Sequence, residues 1–326
     1  MSKIKKIAVF TSGGDAPGMN PCIRAVVRTS KYLGLEVAGI NQGYQGMIDN
    51  NIVDMDHHSV SNILQLGGTI LKTARCLDFK TPEGRKLAYD NLQKNNIDGL
   101  VAIGGDGTFN GIELFSREYD VKVIGVPGTI DNDLYGSDYT LGFDTATNTV
   151  IEAIDKIRDT AESHARLFFV EVMGRDAGCL ALRAGIAAGA EAIMLPEKDT
   201  SIEELIETLK AGAAKNKSSA IVIVSEGDKS GGAFNVAKKV KEVFNFYDTK
   251  VTILGHLQRG GSPSAFDRVL GSRMGFAAVK ALVAGESRKT VGLRGNQIVL
   301  TDIKEALCGH EFKLEEDLLE MSVVLA

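Results

Sequence analysis

Short β-branched apolar runs recur along the chain, each closing on glycines and then on polar residues that open a helical pattern. "KIAVF" leads into "TSGGDAPGMN", "GLVAI" into "GGDGTFNG" and "KVIGV" into "PGTIDND". "LFFVEV" leads into "MGRDAG", "AIVIVSEG" into "DKSGG" and "VTILG" into "HLQRGGSP". Continuous apolar runs of this length predict strands covered on both faces, as in parallel sheets. Helical spacing fills the stretches between them. From Thr145 to Ala161, Val150, Ile151, Ile154 and Ile157 share one face, and Glu152 stands four residues before Lys156. Thr81 before Pro82 predicts a helix start at "TPEGRKLAYDNL". Ser201 and Glu204 have capping-box spacing in a helix expected to end near Gly212.

This alternation predicts a doubly wound α/β architecture, in which ligands bind beyond the carboxyl ends of the strands. The glycine-polar segments fall at those ends. No repeat of about 20–50 residues breaks the pattern, which excludes a solenoid. At 326 residues the chain has room for two domains.

Composition narrows the function. A net charge of -5 without a basic stripe, 6% aromatic residues and no Trp leave few stacking platforms and argue against a nucleic-acid partner. Cys22, Cys76, Cys179 and Cys308 lack CxxC or metal-ligand spacing, which predicts reduced thiols. The N-terminal apolar run stops at Thr11, too early for a signal segment, and no run approaches the ~20 residues of a membrane span. A cytoplasmic protein with no membrane partner is expected.

Three loops carry candidate chemistry. In "TSGGDAPGMN", Gly13, Gly14, Gly18 and Asn20 front a helix whose amides can hold phosphate oxygens, unless the loop is only a tight turn. In "IGGDGT", Gly104, Gly105 and Gly107 let a polyphosphate approach the backbone while Asp106 offers a hard oxygen for Mg²⁺; Asp-Gly also makes plain turns. In "GTIDND", Asp131 and Asp133 are either turn formers or two carboxylates with separate tasks, one for a hydroxyl and one for metal. Arg75, Arg166, Arg175 and Arg259 lie in or beside such loops, where a guanidinium clamps phosphate or merely forms a surface ion pair. His256, at a strand end, reads as a sugar partner or a core histidine.

With "DTATNTV" and "SHARLFFVEVMGRDAG" added, these motifs in this order resemble the bacterial ATP-dependent 6-phosphofructokinase family over essentially the whole chain. The resemblance implies two similar, largely parallel domains, 1–141 plus 258–308 for nucleotide and 142–257 plus 309–326 for sugar phosphate, with the active site in the cleft between them. It implies transfer of a phosphoryl group from MgATP to the C1 hydroxyl of fructose 6-phosphate. Asp131 would be the base, Asp106 and Asp133 would serve the metal, and Thr129, Arg175 and Gly14 would meet the transferring group. ATP would meet Gly14, Tyr44, Arg75, Cys76, Asp106, Gly107, Thr108 and Gly111. The sugar phosphate would meet Thr129, Asp131, Met173, Gly174, Arg175, Glu226, His256 and Arg259, with Arg166 and Lys250 offered by a neighbouring subunit of a homotetramer.

The same resemblance implies allosteric control by ADP and phosphoenolpyruvate through Arg24, Arg28, Arg158, Glu191, Lys215 and Lys217, with His57 where the family usually has Arg. Lys250 likewise replaces a usual Arg. Pyrophosphate-dependent members carry Asp and Lys where this chain has Gly107 and Gly128, so ATP is the expected donor. A pyrophosphate-dependent enzyme and a non-catalytic binding protein on the same fold are the alternatives.

Overall fold

The computed structural model describes residues 4–308 and 314–326. Each of the six glycine-terminated runs is a strand, and helices fill the stretches between. In chain order the elements are β1 (Lys6–Thr11), α1 (Met19–Tyr32), β2 (Glu36–Ile40), α2 (Gly43–Ile48), β3 (Ile52–Asp54), α3 (Pro82–Lys94), β4 (Gly99–Gly104), α4 (Asp106–Tyr119), β5 (Lys122–Pro127) and α5 (Phe143–Glu162). There follow β6 (Arg166–Val172), α6 (Cys179–Ala187), β7 (Ala192–Met194), α7 (Ile202–Ala214), β8 (Ala220–Ser225), α8 (Gly232–Val243) and β9 (Asp248–Ile253). The last are α9 (Ala265–Val283), β10 (Lys289–Arg294), β11 (Gln297–Asp302), α10 (Ile303–Cys308) and α11 (Glu316–Val324).

The chain divides into two compact units. Met1–Thr129, Leu134–Thr145 and Arg259–His310 form one; Ile130–Asp133, Ala146–Gln258 and Glu311–Ala326 form the other. The boundary expected between residues 308 and 309, and the side chain of Cys308, lie outside the described residues.

The first unit is built on a sheet of order β11-β10-β5-β4-β1-β2-β3. Its centre is parallel, with Val9 opposite Val101 and Val101 opposite Ile124, while β2–β3 and β10–β11 are antiparallel. Every residue of β4 is buried, which is why its sequence does not alternate. On one face Phe10, Phe109 and Phe115 are fully buried, each contributing roughly 2–3 kcal/mol of transfer free energy. On α9, Gly271 and Gly275 let the helix lie against α1: a Cβ at Gly271 would stand 2.7 Å from the Gly18 carbonyl oxygen and one at Gly275 2.6 Å from that of Cys22.

The second unit holds a four-stranded sheet of order β7-β8-β6-β9, parallel throughout. Its core joins Phe169, Val222 and Val224 to Leu205 and Leu209 of α7 and Val236 and Val240 of α8. Arg183 of α6 pairs with Glu315, just before α11, at 2.7 Å. The capping box at Ser201 and Glu204 is complete, with α7 running two residues past Gly212, and Thr81 caps α3 by accepting a hydrogen bond from the Gly84 amide at 3.1 Å. Cys22, Cys76 and Cys179 are free thiols. Among the described residues no helix is long and apolar enough to cross a membrane.

Candidate active site

In the first unit the loops after β1, β4 and β5 end side by side because those strands are neighbours. The order of strands reverses between β1 and β4, where open α/β sheets leave a crevice. The Ser12 amide donates to the Ile103 carbonyl at 3.0 Å, and the Gly128 amide donates to that of Gly104, also at 3.0 Å, so the three loops are tied to one another. A Cβ at Gly104 would lie 2.5 Å from the Ser12 carbonyl oxygen and collide with the Thr108 hydroxyl. Only glycine fits there.

Both helices that start from these loops have glycine N-caps, Gly18 for α1 and Gly105 for α4, and neither receives a side-chain cap. Within these turns the Met19 and Thr108 amides already donate to the Ala16 and Gly105 carbonyls at 3.2 and 2.9 Å, and Pro21 carries no amide, while the positive end of each helix favours an anion. The Thr108 hydroxyl is buried with no hydrogen-bond partner. Asp106, half-buried, opens α4, and the space that a Cβ at Gly107 would enter is empty. Thr129, 8% exposed, lies against the same loop: a Cβ at Gly105 would be 3.7 Å from that of Thr129.

Arg259, which the resemblance assigns to the sugar phosphate, stands over the β1 loop of this unit. Its Nη1 donates to the Asp15 carbonyl at 3.3 Å, and a Cβ at Gly14 would strike its guanidinium. Tyr44 is a packed residue, stacked on Phe79 at 4.0 Å with its hydroxyl donating to the Thr108 carbonyl, and Gly111 leaves the room its ring needs. Arg75 is exposed; Cys76 is half-buried, and burial pushes its thiol up.

Sequence reasoning gave Asn20 no task beyond its loop. In the structure it is 1% exposed, donates to the carbonyls of Leu66 and Gly67 at 3.0 and 3.2 Å, and accepts from the Ile70 amide at 2.8 Å. The segment it clamps runs on to Arg75 and Cys76. No spacing rule announces such a clamp, since its partners lie about fifty residues away.

In the second unit Asp131 is 1% exposed, and Arg175 Nε lies 3.5 Å from its Oδ2. The loop that carries Arg175 follows β6 and is held through its backbone amides by two side chains. Glu226 accepts from the amides of Gly174 and Arg175 at 3.3 and 2.8 Å, and buried Gln258 accepts from that of Met173 at 3.1 Å. Glu226 thus shapes the loop whatever else it touches. His256 is exposed in the 3-10 turn Gly255–Arg259 rather than buried in the core.

Arg166 and Lys250, on neighbouring strands β6 and β9, both reach Asp248, at 3.7 and 2.9 Å. The Lys250 hydrogen bond leads the effects that hold the Asp248 carboxyl below its usual range. Asp133 is half-buried two residues after Asp131.

The residues that the resemblance assigns to an effector fall in both units. In the first, Arg24 and Arg28 stand one turn apart on α1; burial and then the neighbouring Arg28 charge lower the Arg24 pKa, and Arg28 Nε is buried without a hydrogen-bond partner. His57 is exposed. In the second, Arg158 donates to the carbonyls of Ala188 and Gly189, Lys217 pairs with Glu191, and Lys215 is exposed.

A largely parallel sheet whose central loops front two helices with glycine N-caps defines an open α/β protein. Comparison with known proteins narrows this. The family model described as Phosphofructokinase matches residues 6–282. "ATP-dependent 6-phosphofructokinase 2" of Bacteroides thetaiotaomicron is 55% identical over 307 residues, 94% of this chain and 94% of that protein. "ATP-dependent 6-phosphofructokinase 1" of Thermus thermophilus is 54% identical over 323 residues, 99% of this chain and 100% of that protein. The chain belongs to the phosphofructokinase family. The structure of phosphofructokinase from Saccharomyces cerevisiae matches with a TM-score of 0.88 at 38% identity, over 93% of this chain and 45% of the yeast chain. A pyrophosphate-dependent phosphofructokinase from Marinobacter aquaeolei matches with a TM-score of 0.84 at 22% identity, over 96% of this chain and 86% of that one, a likeness of fold alone.

Proposed function

We propose that this chain transfers the γ-phosphoryl group of ATP to the C1 hydroxyl of fructose 6-phosphate, giving fructose 1,6-bisphosphate and ADP. The observation that carries the reading is Asp131, a carboxylate 1% exposed beside the Arg175 guanidinium, in a chain matched end to end by proteins named ATP-dependent 6-phosphofructokinase. Asp131 takes the proton of the attacking hydroxyl, within whose reach a general base must stand. Arg175 offsets charge on the γ-phosphoryl oxygens, as do the Gly14 amide and Thr129, the positioning and electrostatic work that a loose phosphoryl transition state needs. Arg259, beside Gly14, adds a guanidinium on the phosphate side.

The residues present fit a divalent cation brought in with the nucleotide. Among the described residues no group of three or more His, Cys, Asp and Glu side chains is arranged to hold a metal alone. Asp106 and Asp133 offer two hard carboxylates, and Mg²⁺ is typically bound through one or two carboxylates and completed by phosphate oxygens and water. Asp106 and Asp133 would hold it, and when bound it neutralises phosphate charge. Tyr44, Arg75, Cys76, Gly107, Thr108 and Gly111 would flank ATP; Met173, Gly174, Glu226 and His256 would meet the sugar phosphate.

Arg166 and Lys250 would complete that site from a neighbouring subunit of a homotetramer. Arg24, Arg28, His57, Arg158, Glu191, Lys215 and Lys217 would receive ADP or phosphoenolpyruvate. The test is formation of fructose 1,6-bisphosphate from fructose 6-phosphate and Mg²⁺, with ATP and pyrophosphate compared as donors. Product with ATP alone is expected. Product with pyrophosphate alone would overturn the donor assignment, and none with either would favour a binding protein on this fold.

A further inference from the structure

Asp267 lies in α9, well along the chain from the three loops, yet its carboxylate is 0% exposed and fully engaged. Its Oδ1 accepts from the Gly142 amide at 2.9 Å, and its Oδ2 accepts from the Thr145 amide at 2.9 Å and the Thr145 hydroxyl at 2.5 Å. Ser264, the N-cap of α9, donates from its amide to the Thr145 hydroxyl at 3.0 Å and from its own hydroxyl to Asp144 at 2.5 Å. The start of α5 is therefore fastened to the start of α9.

The fastened segment reaches back to the loop after β5. The Leu141 amide donates to the Pro127 carbonyl at 2.9 Å, Leu141 bridges Gly128, and the Thr140 hydroxyl donates to the Thr129 carbonyl at 2.5 Å. A carboxylate buried at this depth costs folding free energy that apolar packing would not, and its three donors all belong to one strap, residues 140–145. We propose that Asp267 is a positioning residue for phosphoryl transfer: through the strap it sets Gly128 and Thr129 against the phosphate loop that ends β4. This rests on Thr129 meeting the transferring group, as read above.

Because the strap bonds to Thr129, which the proposed function places at the transferring group, its loss is expected to act on kcat more than on KM for ATP. The experiment compares the wild type with Asp267→Asn, Thr140→Val and the double variant. Steady-state kinetics are read alongside amide hydrogen exchange at Gly128, Leu141, Gly142 and Thr145. Expected for each single variant is a kcat about tenfold to a hundredfold lower, with KM for ATP within about twofold. Faster exchange at the strap amides is expected, and the double variant falls no further than the worse single, since both cut one path. An unchanged kcat with loosened amides would overturn the proposal, as would strictly additive losses. Should Asp267→Asn fail to fold, Thr140→Val carries the kinetic test alone. A wild type without kinase activity would sink the functional reading instead, and the exchange measurement would still show whether Asp267 holds the strap.

Discussion

At Asp131 a carboxylate 1% exposed faces the Arg175 guanidinium, so Asp131→Asn keeps the shape and removes the charge together with the basicity proposed for it. Turnover is expected to fall about 10²-fold or more while KM for both substrates stays within a few-fold. Near-normal turnover would reassign the base. Asp267 offers a test of a different kind. Burial, with the Asp144 charge a smaller contributor, raises its carboxyl from 3.8 to about 6 against the pull of its hydrogen bonds. A folded-state pKa above the unfolded value means a stability contribution fully present below the unfolded value and lost as pH rises through about 6. The stability of the wild type minus that of Asp267→Asn is therefore expected to shrink by about 1–2 kcal/mol between pH 5 and 7.5 in denaturant titrations. A difference that is flat over that range would contradict the burial argument.

Among the elements, α7 begins with both halves of a capping box, the Glu204 amide donating to Ser201 Oγ at 3.1 Å and the Ser201 amide to the Glu204 carboxylate at 3.2 Å. Ser201→Ala is expected to destabilise the protein by about 1 kcal/mol in urea without altering catalysis, since it touches only a helix end. Such local grammar made α3 and α7 readable from their first residues, and the unbroken apolar runs made β1, β4, β5, β6, β8 and β9 readable as strands. The edge strands β3, β7 and β11 escaped because three residues, or a half-exposed alternating segment, carry too little hydrophobic pattern to stand out. The loops that bear Gly14, Asp106 and Asp131 were legible because glycine at a strand end has a backbone reason to be there. Asn20 and Asp267 were not, because each acts through partners 46–50 or 122–125 residues away in the chain, a distance at which sequence spacing holds no information.

At the scale of the whole molecule, the fold does not choose the phosphoryl donor. The pyrophosphate-dependent protein from Marinobacter aquaeolei has the same fold at a TM-score of 0.84, although only 22% of residues are identical. The choice then rests on side chains rather than on the fold, and the two candidate positions differ physically. A Cβ at Gly128 would stand 3.0 Å from both Ile103 Cγ2 and Met19 Cε and 3.3 Å from the Gly104 nitrogen, so a larger residue there disturbs packing as well as chemistry. At Gly107 a Cβ meets nothing within 4 Å, and the position lies in the first turn of α4, where a carboxylate suits the helix dipole. Gly107→Asp therefore isolates the charge. It is expected to leave the melting temperature within about 2 °C of the wild type, as a surface substitution free of clashes does. It is expected to lower kcat/KM for ATP by about tenfold to a hundredfold, the size of a partly screened repulsion between a carboxylate and a phosphate a few ångströms away. Parallel thermal melts and ATP titrations at saturating fructose 6-phosphate decide it: a stable variant with unchanged ATP kinetics would show that Gly107 does not set the donor, and the crowded position at Gly128 would then carry the choice.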